Sequence, residues 1–177
     1  MRFRFLLIVL LAIGQPTLAK VYYSKQEAMV LAFGDQAEVS MVSLFPSAEQ
    51  SQRIEQLAKT KLDSGLYTLY AGKIDGQVKG YAAIETQTVR TKPETLLLVL
   101  SADGHLEQVV TLAFHEPPEY EPPERWFQLL SGKPIEELDF AKGVQAISGA
   151  TLSTRAALTA ARKVLAIYQV MIEEAKP

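Results

Sequence analysis

Two Asp-Gly pairs, Asp75-Gly76 and Asp103-Gly104, each stand between runs rich in β-compatible residues. Asp-Gly in that setting is a strong hairpin signal, because both residues tolerate the positive φ that tight turns demand. The first pair predicts strands over residues 66–74 and 78–89. The second predicts strands over 95–101 and 106–114. Leu96-Leu97-Leu98-Val99-Leu100 is apolar without alternation, so its strand should be central and covered on both faces. Residues 90–94, which include Pro93, read as a polar loop between the hairpins.

The covers are legible on either side of this β-rich stretch. Ser24-Lys25-Gln26-Glu27 is a capping box, predicting a short helix to Phe33 that stops at Gly34. Residues 38–45 are β-compatible and partly alternating. Pro46-Ser47 opens a second helix, with Ile54, Leu57 and Leu62 facing inward. Residues 117–123 contain four prolines, which remove donors and fix φ, so they predict an extended loop. A short helix over 124–130 follows. From Leu152 to Ala175 the pattern is helical, with Leu158, Ala161, Leu165, Tyr168 and Ile172 recurring at three- and four-residue intervals. Arg155, Arg162 and Lys163 read as the solvated face of this helix. The sum is α+β: a single domain in which helices, including a long C-terminal one, pack an antiparallel sheet.

The N-terminus has a different character. Arg2 and Arg4 precede an apolar run over residues 5–13, and Thr17-Leu18-Ala19 offers a small-residue cleavage site. This is the pattern of a secretory signal peptide over residues 1–19, leaving a domain of residues 20–177. The apolar run is about half of the ~20 residues a spanning helix needs. Removing Arg2 and Arg4 from 18 basic residues leaves 16 against 20 acidic ones, a net charge of −4. No basic patch marks a nucleic-acid partner. The chain has no cysteine, which excludes disulfides, thiol chemistry and cysteine-ligated clusters. The two histidines lie far apart and no acidic spacing suits a metal.

Ser148-Gly149-Ala150-Thr151 stands at the start of the final helix. There, backbone N–H groups lack intrahelical partners and the helix dipole favours an anion such as phosphate. Gly149 and Ala150 leave room for a ligand to approach. Ser148, Ser153 and Thr154 add hydroxyls, and Arg155 stands one turn on, where it could pair with a phosphate. The alternative is that Thr151 simply caps its own helix.

Residues 144–154, Val-Gln-Ala-Ile-Ser-Gly-Ala-Thr-Leu-Ser-Thr, resemble the flavinylation segment of the FMN-binding domain family. That family includes the C subunit of the sodium-pumping NADH:quinone oxidoreductase, the G subunit of the Rnf complex and small exported proteins. The segment Phe114-His115-Glu116-Pro117-Pro118-Glu119 occupies the place of the family's His and acidic-Pro segment, which approaches the flavin. The resemblance spans roughly residue 66 to the end. It implies FMN joined to Thr151 by a phosphoester and installed from FAD by a periplasmic flavin transferase with Mg²⁺. It further implies Ser148, Gly149, Ala150, Leu152, Ser153, His115 and Glu116 as cofactor-site residues, and a periplasmic, membrane-associated location. One position departs from it: Gln145 stands where the family usually carries an Asp that is thought to help the transferase.

The expected function is electron transfer between partner redox proteins at or near the membrane, with the flavin supplying the redox chemistry. No catalytic base is read from the sequence, so a carrier is expected rather than a self-contained enzyme. Two alternatives stand beside it: an exported adaptor of the same fold that has lost the flavin, and an oxidoreductase with non-covalent FMN. Glu116, Glu119, Glu121 and Glu124 read as a solvated acidic loop. Trp126 and Phe127 read as its anchor to the core.

Overall fold

A computed structural model describes residues 20–175. The expected signal peptide, residues 1–19, lies outside them. Six strands form one antiparallel sheet: β1 (Lys20–Val21), β2 (Glu38–Leu44), β3 (Tyr67–Ile74), β4 (Gln77–Thr88), β5 (Pro93–Ser101) and β6 (Leu106–Phe114). Their spatial order is β1-β6-β5-β4-β3-β2. Both Asp-Gly turns close hairpins. Asp75 and Gly76 have φ of 53° and 75°, the paired left-handed conformation of a tight two-residue loop. At the second turn Gly104, at φ 84°, donates its N–H to the Ser101 carbonyl at 3.0 Å. Strand β5 starts two residues earlier than expected. Pro93 is tolerated as its first residue, and Glu94 is drawn into the sheet opposite Gln87 and Phe114.

The continuous apolar run on β5 is buried on both sides. Leu96, Leu98 and Leu100 point into the larger core, shared with α2 (Ala48–Ala58) and the long helix α4 (Thr151–Tyr168). Leu97 and Val99 point the other way, into a smaller core with Ala28 and Met29 of α1 (Lys25–Phe33). The expected box caps α1: the Ser24 N–H donates to Glu27 Oε2 at 2.7 Å, and the Glu27 N–H donates to Ser24 Oγ at 3.3 Å. The short helix α3 is Glu124–Phe127, continued by a 3₁₀ turn to Leu130. A π-helical turn, Gln169–Glu173, prolongs α4.

The expected solvated face of α4 is a correction. Arg155 is exposed, but Arg162 and Lys163 are 8% and 6% exposed. The helix packs against β4 and β5 of the sheet, against α2 and against the turn at Ile135–Glu137, so most of its residues are buried. Both cations are accommodated by partners. Arg162 donates to the Leu57 carbonyl at 3.2 Å, and Lys163 meets Glu85 of β4 at 2.5 Å. Burial alone would lower the Lys163 pKa, but the Glu85 carboxylate, with Asp63 and Tyr67, holds it raised.

Candidate functional site

The start of α4 is open. Ala150 is its N-cap residue, and no side chain caps the first turn. Thr151 is therefore the first helical residue rather than the cap. Its hydroxyl is exposed and donates to the Ile147 carbonyl at 3.1 Å. The first-turn N–H groups have no intrahelical acceptor, which leaves partial positive charge facing outward. The segment leading in is tightly held. Val144 is buried, and the Trp126 indole N–H donates to the Gln145 carbonyl at 2.7 Å. Trp126 is thus an anchor for the residues before Thr151. Gly149 makes the last bend at φ 90°, a conformation that favours glycine.

A pocket of about 140 Å³ opens against this helix end. Gly149, Thr151, Leu152 and Ser153 form one wall; Val89, Arg90, Glu116 and Tyr120 form the other. The far wall is built by hydrogen bonds. Glu116 Oε1 accepts the N–H groups of Thr91 at 2.6 Å, Lys92 at 2.8 Å and Arg90 at 3.3 Å. Those bonds, Thr91's foremost, hold the carboxyl below its usual pKa. Ser153 Oγ donates to the Tyr120 carbonyl at 2.5 Å, tying the proline loop to α4.

Five of the eight sequence-derived site residues meet in this pocket: Gly149, Thr151, Leu152, Ser153 and Glu116. Ser148 is exposed beside it, and Ala150 is buried beneath. His115 is outside the lining; its backbone N–H donates to Pro93 at 3.1 Å, and its Nδ1 is buried without a partner. Arg155 is outside as well. Glu116 corrects the reading of a solvated acidic loop, since it is buried and committed to three backbone donors. The hydroxyls of Ser153 and Thr154 donate within the protein, Thr154 to the Thr151 carbonyl at 3.0 Å. Asp139 does not replace the aspartate absent at Gln145. It caps a 3₁₀ turn through Ala141 and pairs with Lys59 at 3.0 Å. The Gln145 side chain is exposed.

The FMN-binding domain model matches residues 71–166. The chain belongs to the FMN-binding domain family. No curated protein and no solved structure matches it. Its cofactor is FMN. The pocket fits the phosphate end of that molecule: an uncapped helix N-terminus, a cationic Arg90 and a small-residue approach all suit an anion. Thr151, the first-turn N–H groups and Arg90 would hold this FMN-binding domain's phosphate. Leu152, Val89 and Tyr120 would give the adjoining carbon chain apolar contact.

Sequence reasoning missed Val89, Arg90 and Tyr120. A signal for Arg90 existed. Antiparallel pairing of β5 with β6 brings the turn before Pro93 beside the residues after Phe114, so a site at Glu116 implicates that turn. Tyr120 lies in the proline loop, whose course no periodicity specifies.

Proposed function

We propose that this chain is an exported, periplasmic flavoprotein that carries FMN esterified to Thr151 and passes electrons between partner redox proteins at or beside the membrane. The observation that carries the reading is the exposed Thr151 hydroxyl at an uncapped helix start, inside a small pocket. Pockets that enclose a whole drug-sized ligand hold ~300–1,000 Å³. This one is about 140 Å³, which supports a site gripping the phosphate end and leaving the ring outside. When bound, the flavin supplies the redox chemistry, and the protein supplies attachment and orientation.

Attachment would proceed with a periplasmic transferase and Mg²⁺. The Thr151 oxygen bonds to the FMN-side phosphorus of FAD, the pyrophosphate P–O bond breaks, AMP leaves and the hydroxyl proton passes to a base on the transferase. A threonine hydroxyl is a weak nucleophile, so the outside enzyme is needed. Cleavage before Lys20 would leave every described strand in the mature chain.

The test is co-expression with a periplasmic flavin transferase, then intact mass and flavin fluorescence of the denatured protein. The expected result is a gain of one FMN residue that Thr151→Ala abolishes. Gln145 favours a second reading, an adaptor that has lost the flavin. An unmodified mass without flavin supports that reading, and restoration of the gain by Gln145→Asp would trace the loss to this residue. Flavin that binds but is released on unfolding identifies the non-covalent alternative.

A further inference from the structure

The pocket wall opposite Thr151 is the turn joining β4 to β5. Arg90 is the single cation among the pocket-lining residues, and Glu116 the single anion. Their roles are different. Glu116 draws three consecutive backbone N–H groups onto one oxygen, and the Thr91 hydroxyl adds a fourth contact at 3.3 Å. That arrangement fixes the turn and occupies the carboxylate. No carboxylate among the described residues pairs with the Arg90 guanidinium. It lies instead over the Tyr120 ring, 5.9 Å from the centroid. Tyr120 is itself tied to α4 through Ser153. The wall thus contributes a positive charge to the pocket that the open helix end also lines, with an aromatic face beneath it.

Resting on the reading that the flavin phosphate lies at Thr151, we propose that Arg90 is the phosphate-recognition residue of this pocket, and that Glu116 is the residue that positions it. The phosphate would lie between the guanidinium and the first-turn N–H groups of α4. Guanidinium donors form charge-assisted bonds with phosphate oxygens, and nothing in riboflavin replaces that group. The pocket therefore selects phosphorylated flavins. The same charge offsets the anionic pyrophosphate of FAD during attachment and the single charge of the diester afterwards. Glu116 contributes through the turn: without it Arg90 keeps its charge but loses its placement.

The experiment titrates the full chain, made without transferase, with FMN and with riboflavin, following flavin fluorescence at low and moderate salt. A charge-assisted bond predicts FMN tighter than riboflavin by about tenfold or more. Arg90→Gln should bring that ratio close to one while riboflavin affinity stays the same. Glu116→Ala should lower the ratio in the same direction, and Glu116→Gln, which keeps an acceptor oxygen, should retain most of it. Loss of both affinities in Arg90→Gln would show a structural role and overturn the proposal. So would an unchanged ratio, or a wild-type protein that prefers neither flavin or binds neither. Thr151→Ala separates this inference from the covalent reading. If the preference survives in that variant while the wild type co-expressed with the transferase gains no mass, attachment fails and Arg90 stands.

Discussion

Glu94 is 1% exposed, and neither of its carboxyl oxygens has a hydrogen-bond partner. Burial raises its pKa from the ordinary 4.5 to about 8, and the nearby Glu121 charge adds to the effect. The carboxyl is therefore largely protonated in the folded protein at neutral pH. The consequence for stability has a definite sign. Between pH 4.5 and about 8 the folded chain keeps a proton that the unfolded chain has released. Stability is thus lost progressively as pH rises through that window, and the loss levels off above it. Glu94→Gln removes the titration. Thermal melts at pH 5 and pH 8 should show the variant gaining on the wild type at the higher pH, by an amount on the order of a few kcal/mol. An identical gap at both pH values would mean that the carboxyl is hydrated or paired in solution. Nothing in the residues around Glu94 signals this burial. A glutamate next to Pro93 reads as loop, and only the strand's extension to Pro93 buries it.

At the level of the element, α4 combines a buried stripe with buried cations. Lys163 and Glu85 form a 2.5 Å pair with little water around either group. Removing one partner of such a pair leaves the other charge buried, whereas replacing both with apolar groups of similar volume is often tolerated. Lys163→Ala should therefore cost about 3 kcal/mol or more in denaturant unfolding. Lys163→Met combined with Glu85→Leu should recover most of that loss. Equal destabilisation by the single and double variants would show that packing, not charge, is at stake. The helix also shows where sequence reasoning works. Its inward positions Leu158, Ala161, Leu165 and Tyr168 were legible because they follow helical spacing, and all are buried. The burial of Arg162 and Lys163 was not, because periodicity reports one apolar face and is silent on what covers the opposite one. The turns and the Ser24 cap were legible for a related reason: their determinants lie within four residues. The open start of α4 was only half legible. The motif placed Thr151 at the first turn, but the cap could be excluded only once Ala150 occupied the cap position. Arg90 and Tyr120 meet the motif from about 61 and 31 residues away in sequence, a long-range convergence set by strand pairing and loop packing rather than by local preference.

The sheet ends at one edge in β1, two residues that join the molecule's first described segment to its site. Lys20 and Val21 pair with Phe114 and Ala113 of β6, and the Tyr22 N–H donates to the Leu112 carbonyl at 2.8 Å. Tyr22 then reaches across to the proline loop, its hydroxyl donating to Glu121 Oε2 at 2.5 Å. Burial, with that carboxylate's help, pushes the Tyr22 pKa up to about 12, so the phenol stays a donor across the physiological range. The adjoining residue on that loop, Tyr120, lines the pocket and underlies Arg90. The N-terminal segment is thus tied by one hydrogen bond to the loop whose Tyr120 lines the pocket at Thr151. Two chains distinguish this coupling from mere edge trimming, one starting at Lys20 and one at Ser24. The longer chain keeps all of these contacts. The shorter should lose about 1–2 kcal/mol, seen as a melting temperature a few degrees lower. It should also bind FMN severalfold more weakly, because the loop that carries Tyr120 loses one of its tethers and keeps the one from Ser153. Tyr22→Phe in the longer chain isolates the hydroxyl and should reproduce the weaker binding with little loss of sheet stability. If the shorter chain melts lower but binds FMN unchanged, β1 serves the sheet alone and Ser153 suffices to hold the loop in place.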